Sequence, residues 1–197
     1  IRPRAAALAG SPARLSIAAP VPAHPPGTPV TITGRLTDLH SGAPLTGAPI
    51  EVQQITGTDT ETTIATVTTD ANGGWSYTTA PAQNTLLRAL HRPAPASVSD
   101  IVVLAVAPAV TLSVVSTAPL TVTGTVAPAG PAVTLDVYRV LASGRRKLAR
   151  SRQLAATDGQ FTASFRRLAP GHYVLFASTT PSARYASGVS PPATVLL

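Results

Sequence analysis

Apolar and polar positions alternate along much of the chain with a period of two rather than 3.6. In Val30-Thr-Ile-Thr-Gly-Arg-Leu36, the residues Val30, Ile32 and Leu36 fall on one face and Thr31, Thr33 and Arg35 on the other. Successive side chains of a strand point to opposite faces, so this pattern buries one face and leaves the other in water. Arg14–Ala19 alternates in the same way through Leu15, Ile17 and Ala19. The remaining strand-like runs of the first half are Ile50–Ile55, Thr62–Thr69, Trp75–Thr79, Thr85–Leu90 and Asp100–Val106. In Thr62–Thr69, Ile64 and Val67 are out of phase, as a β-bulge would make them. Gly, Pro, Asp and Asn turns punctuate the runs, and no segment carries a helical period.

The pattern then repeats. Val30-Thr-Ile-Thr-Gly34 returns as Leu120-Thr-Val-Thr-Gly124, about ninety positions on. Thr69-Asp-Ala-Asn-Gly-Gly-Trp75 has a counterpart in Thr157-Asp-Gly-Gln-Phe161. Thr85–Leu90 aligns with His172–Ala177, and the run ending at Val106 with Ala193–Leu197. Seven short strands, repeated, predict an all-β chain of two tandem immunoglobulin-like (fibronectin III-like) antiparallel sandwiches. The boundaries predicted are 13–107 and 108–197, preceded by an arm at 1–12 that shows no sustained period. The joint at Ala107-Pro108-Ala109 is short and has no Gly/Ser stretch, so the two domains are expected in series with limited swing.

Composition narrows the chemistry. The 197 residues include 20 Pro, 14 Gly and no Cys, which removes disulfides, thiolate metal sites and Cys nucleophiles. There is no Met, so Ile1 reads as the product of processing or the edge of a fragment. No apolar run approaches the roughly 18 residues that span a bilayer as a helix. Charge is unevenly placed. Residues 1–108 hold six Arg and six Asp or Glu and balance. Residues 109–197 hold eight Arg and Lys147 against Asp136 and Asp158, and carry the whole net charge of +7.

Two motifs carry a resemblance. Thr-Asp-x-x-Gly-x-Trp/Phe leading into a strand, and Val-Thr-Ile-Thr-Gly followed by Gly-Ala-Pro-Leu-Thr-Gly-Ala-Pro-Ile-Glu-Val, resemble the tandem Ig-like repeats of bacterial secreted and surface proteins. The resemblance covers about residues 13–197; the second domain is shorter and lacks the Gly-Ala-Pro insert. It implies a non-catalytic structural or adhesive part at the cell surface, either a rod or a fibre-forming subunit. The alternative it implies is an accessory module of a cell-wall or polysaccharide hydrolase.

Each candidate site has a structural counter-reading. Asp70-Ala-Asn72-Gly has oxygen ligands at alternate positions, as a calcium loop does, but a turn bonded to its own backbone explains the same residues, and likewise Asp158-Gly159. Trp75 and Tyr77 could form a sugar platform, yet Trp75 recurs as Phe161, which marks a core position. His24, His40, His91 and His172 are not at metal-ligand spacing, and no cofactor is expected. There is no Gly-x-Ser-x-Gly elbow, no phosphate-cradling glycine loop and no flanking pair of carboxylates, so catalysis is not expected. An isopeptide from Lys147 to Asp136 or Asp158 is conceivable only in the second domain, because the first has no lysine.

The arginines are the remaining lead. Arg139, Arg145, Arg146, Lys147, Arg150 and Arg152 lie on one predicted hairpin turning at Ala142-Ser-Gly144, with Arg166 and Arg167 on a nearby predicted strand. Alternation should give about half of them a common solvent face able to hold an anionic glycopolymer or an acidic protein. No aromatics interleave with them, which argues against nucleic acid. The counter-reading is a charged edge that resists unwanted strand pairing. The arm, through Ile1, Arg2, Arg4 and Leu8, could instead add to a neighbouring copy's sheet, so self-association or contact with other surface domains is the expected partnership.

Overall fold

The computed structural model describes residues 12–57, 60–93 and 95–197. The assembly arm read at Ile1, Arg2, Arg4 and Leu8 lies outside them. The chain divides into two compact units, one ending at Ala105 and the other holding Val106–Leu197 together with Ala23–Pro26. In the second unit, His24 bridges Val106 in parallel and its carbonyl accepts the Ala107 N–H at 2.9 Å.

The first unit contains β1 (Ala13–Leu15), β2 (Val30–Asp38), β3 (Pro49–Thr56), β4 (Thr60–Thr68), β5 (Gly74–Thr79), β6 (Thr85–His91), β7 (Ser97–Val98) and β8 (Val102–Leu104). One sheet runs β1-β2-β5; the other runs β4-β3-β6, with β7 and β8 sharing the far edge of β6. All the pairings are antiparallel. Leu15, Val30, Ile32, Leu36 and Trp75 from the first sheet meet Ile50, Val52, Leu87, Ala89 and Leu104 from the second. Each large aliphatic side chain fully removed from water in this way contributes roughly 1.5–3 kcal/mol.

The second unit repeats the plan with β9 (Ala109–Val110), β10 (Ser113–Thr117), β11 (Leu120–Ala127), β12 (Val133–Val140), β13 (Arg146–Leu154), β14 (Gln160–Phe165), β15 (His172–Thr179) and β16 (Ala193–Leu196). Its sheets run β10-β11-β14, with β9 also on β11, and β13-β12-β15-β16. Leu120, Val122, Phe161 and Ala163 pack against Leu135, Val137, Leu175 and Ala177. Both units are immunoglobulin-like sandwiches, three strands facing five in the first, where β7 and β8 divide one edge, and four facing four in the second, where β9 and β10 divide one.

The repeated motifs are now legible as devices. Gly34 stands opposite Trp75 and Gly124 opposite Phe161. A Cβ on Gly34 would lie 2.4 Å from the indole and 2.1 Å from the Ser16 carbonyl oxygen; one on Gly124 would lie 2.3 Å from the Phe161 ring and 2.2 Å from the Thr111 oxygen. The glycine thus lets an aromatic ring lie on bare backbone, and Trp75 and Phe161 are buried core residues, 4% and 3% exposed. Asp70 Oδ1 accepts the N–H groups of Asn72 and Gly74 at 2.7 and 2.8 Å, so the motif is a turn. Asp158 and Gly159, both at positive φ, form a two-residue hairpin turn closed by Thr157 and Gln160.

Several boundaries differ from those the alternation suggests. The first strand stops at Leu15 because the Ser16 hydroxyl accepts the Arg35 N–H at 3.0 Å, leaving only an isolated bridge from Ala18 to Thr33. The expected run Asp100–Val106 is strand only over Val102–Leu104. There the Ser99 hydroxyl accepts the Ala89 N–H at 2.8 Å and breaks the edge into β7 and β8. Ser190 does the same to Ala177 at 3.0 Å. The bulge foreseen in Thr62–Thr69 is present at Ile64, where the register of β3 and β4 shifts. The same shift recurs in β13 at Ala149. Val52 faces Ala89 and Leu135 faces Ala177, so Ala177 corresponds to Ala89, one residue away from the sequence alignment with Leu90. A strand's inward face, not its residue identities, sets that phase.

Candidate functional site

The basic hairpin is β12–β13, closed by a Leu141–Arg145 backbone bond at 2.9 Å with Gly144 at φ 76°. β12 is flanked on both sides, whereas β13 pairs only with β12 and forms the edge. Val133, Leu135 and Val137 point into the core, so alternation assigns Arg139 to the same side. Lys147 stands opposite Arg139, Arg150 opposite Val137 and Arg152 opposite Leu135. Four of the six hairpin cations therefore share the inward side, and on the edge strand Lys147, Arg150 and Arg152 stay exposed while Ala149 and Leu154 are half-buried. This refines the expected half-and-half division: the Ala149 bulge shifts the phase of β13 midway and brings Lys147 and Arg150 to one side. Inward-pointing charge on an outermost strand is a recognised block to edge-to-edge pairing, and Arg150 and Arg152 fit it.

Arg146 lies on the opposite face, its guanidinium 5.5 Å from the centre of the Phe176 ring, which Tyr138 meets edge-on at 6.1 Å. Asp136 shares that outer face, so Lys147 and Asp136 sit on different sides of the hairpin and the conceivable isopeptide between them is not assembled. Arg145 lies in the hairpin turn. Arg166 and Arg167 are not on a strand: β14 ends at Phe165, and Arg167 adopts φ 58° in the connection to β15.

That connection closes a cleft of about 350 Å³ against the inward side of the hairpin. Arg139, Lys147, Arg150 and Arg167 line it, over a floor that includes Leu168, Ala169 and Tyr173. No carboxylate lines it, and none of the second unit's described cations lies within ion-pair distance of one. The loop is held firmly. The buried Tyr173 donates its hydroxyl to the Ala169 carbonyl at 2.7 Å, Arg139 donates to the Pro170 carbonyl at 2.8 Å, and Gly171 and Leu197 exchange backbone bonds. A buried tyrosine at the start of this strand, bonded to backbone a few residues upstream, is the tyrosine corner of immunoglobulin-like folds. Sequence reasoning missed Tyr173 and set Arg167 near the hairpin but on a strand, since the roles of both depend on loop geometry that no period reveals.

Elsewhere, His91 hydrogen-bonds the Pro49 carbonyl oxygen at 2.9 Å, and among the described residues no three metal-capable side chains converge. Among those residues, no helix is long and apolar enough to cross a membrane.

No protein-family model matches the chain, and no curated protein matches it in sequence. Among solved structures it is similar to the tetra-tandem repeat in the extending region of a large adhesion protein, at 15% identity and TM-score 0.39, over 94% of this chain and 49% of that one. It is similar to red sea bream transglutaminase at 15% identity and TM-score 0.50, over 93% and 31%. The D0–D1 domain of intimin matches at 16% identity and TM-score 0.35, over 91% and 96%. The chain spans about half the length of the adhesion-protein structure and about a third of the transglutaminase. The transglutaminase superposition supports a shared fold, and at such identity a fold says nothing of activity.

Proposed function

We propose that the chain is a non-catalytic extracellular part with a structural or adhesive role, in which two Ig-like repeats serve as a spacer or as a rod- or fibre-forming surface subunit. The observation that carries the reading is that the same sandwich is built twice with the same devices. The polar groups of its motifs are engaged in building it: Asp70 and Asp158 in turns, Thr69 between Leu45 and Ala48, and Ser99 and Ser190 at the edges. Negative-stain electron microscopy with light scattering over a concentration series tests the assembly part. Regular fibres support the subunit role, discrete particles at all concentrations support the spacer, and turnover of a cell-wall or protein substrate by the purified chain overturns both.

A second reading is favoured by one specific feature, the basic cleft of the second unit without a carboxylate. It casts the chain as a module that retains an anionic polymer of the cell surface, through charge rather than through aromatic stacking.

A further inference from the structure

The eight arginines and one lysine of residues 109–197 are not equivalent. Arg139, Lys147, Arg150 and Arg167 line one cleft, while Arg145, Arg146, Arg152, Arg166 and Arg184 do not. Four cations around one cleft without a counter-charge repel one another, and because all four side chains are exposed that repulsion is felt chiefly at low salt. Arg167 adds a second cost: a non-glycine residue at φ 58° occupies the sparsely populated left-handed region. The loop that carries it is nevertheless tied down by Tyr173, by Arg139 and by the Gly171–Leu197 pair. Repulsion and strain held in place by a fixed loop are what a preorganised anion site looks like before its ligand arrives.

The geometry selects the ligand class. Three of the four cations are arginines, whose planar guanidinium groups take carboxylates and phosphates alike in a two-pronged way that ammonium groups do not. Arg152 continues the row along the edge strand beyond Arg150, about 7 Å on at the rise of two strand residues. A row of that spacing suits a chain with regularly repeated charges rather than a single small anion. An added peptide strand is disfavoured by the inward charges and by the Ala149 bulge. Stacked bases are disfavoured too, because the one aromatic ring of the cleft, Tyr173, is 2% exposed.

We propose that this cleft, with Arg152 as its extension, binds a linear polysaccharide whose oxyanions, carboxylate or phosphate, repeat along the chain. The proposal rests on the second reading above and names its site. Polygalacturonate is the probe, with the full chain tested by co-sedimentation and calorimetry from low to high salt. Lys147→Gln, Arg150→Gln and Arg167→Gly together remove three cleft charges, and the glycine relieves the backbone strain. Arg145→Gln, Arg146→Gln and Arg166→Gln remove three charges outside it. The cleft variant is expected to bind about tenfold or more weakly with an unchanged or higher Tm, and the outside variant only about twofold more weakly. Equal weakening by both variants overturns the cleft and leaves the anionic-polymer reading standing. No binding by the unaltered chain at low salt overturns that reading as well. Tighter binding of single-stranded DNA than of polygalacturonate, lost in the cleft variant, overturns the ligand class.

Discussion

The sheet β4-β3-β6, with β7 and β8 at its edge, and the sheet β13-β12-β15-β16 place corresponding strands in the same order, and their charges are arranged in opposite ways. In the first unit, Arg88 on β6 reaches Gln53 on β3 at 2.9 Å and pairs with Glu61 on β4. Arg92 pairs with Glu51, which also accepts the Thr63 hydroxyl at 2.9 Å. In the second unit the corresponding strands carry Arg139, Lys147, Arg150 and Arg152 with no carboxylate in reach, and the outer face holds Tyr138, Phe176 and Arg146 instead. The shared fold shows that the sandwich does not need the surplus cations, because the first unit closes the same sheet with a balanced set. What the second unit adds is surplus to the sandwich itself: the proposed cleft assigns it to a ligand, and protection of an open edge accounts for Arg150 and Arg152 without one.

If the framework is common, its most demanding contact should fail equally in both units. Gly34→Ala and Gly124→Ala each force a methyl group into a backbone oxygen and an aromatic ring. Each is expected to cost about 1–3 kcal/mol, the range of an overpacked core. Trp75 is the only tryptophan and is buried in the first unit, so its emission during urea unfolding follows that unit, while circular dichroism follows both. Gly34→Ala should move the fluorescence transition and Gly124→Ala should leave it in place. An unmoved transition for Gly34→Ala would remove the glycine–aromatic pair from the framework.

The next contact belongs to one unit alone. Tyr173 lies four residues before Ala177, where the first unit, counted from Ala89, has Thr85. Tyr173→Phe deletes the bond to the Ala169 carbonyl and is expected to lower the stability of the second unit by about 1 kcal/mol. The Trp75 transition should not move. Because the Ala169 loop carries Arg167, polygalacturonate binding should weaken as well, which a purely structural tyrosine would not produce.

Most of the sandwich could be read from the chain because a half-buried strand leaves a period-two imprint, as in Val30–Leu36. The repeat was visible for a related reason: Gly34 and Trp75, or Gly124 and Phe161, are one cross-strand contact written at two distant positions. Edges were harder to read. Ser16, Ser99 and Ser190 end or split strands by offering a hydroxyl where backbone would pair, and nothing in the alternation around them announces it. The candidate site was half legible. A run of cations on a hairpin is plain in Arg145–Arg152, but its facing depends on the single extra residue at Ala149. Arg167 joins the cleft only because its backbone turns left-handed after β14.

Smaller effects should carry opposite signs in the two units. Arg88→Ala strands Glu61 and is expected to destabilise the first unit by about 0.5–1 kcal/mol at low salt, less as salt screens the pair. Arg150→Ala removes a cation with no carboxylate partner and is expected to leave the second unit's stability unchanged or slightly raised. Loss of stability in both would mean that the second unit's cations are neutralised after all.

The smallest effect is a pH dependence confined to the first unit. Hydrogen bonding from the Arg92 side chain, helped by the Thr63 hydroxyl and by the attraction of the guanidinium charge, holds the Glu51 carboxyl below its ordinary value of 4.5 despite some opposing desolvation. A folded-state value below the unfolded one means that the unfolded chain takes up the proton first as acid is added. The stabilisation is therefore complete above the unfolded value and is lost as pH falls from about 4.5 through the lowered folded value. Arg92 is shifted upward by the same contact and stays charged throughout this window. Glu51→Gln should flatten the acid limb of the Trp75 unfolding midpoint while leaving its neutral-pH value only slightly lower, as expected for an exposed pair. If Glu51→Gln leaves the acid limb unchanged, the Arg92 contact is not maintained in solution, and the balanced half of the comparison then rests on the Arg88–Glu61 pair alone.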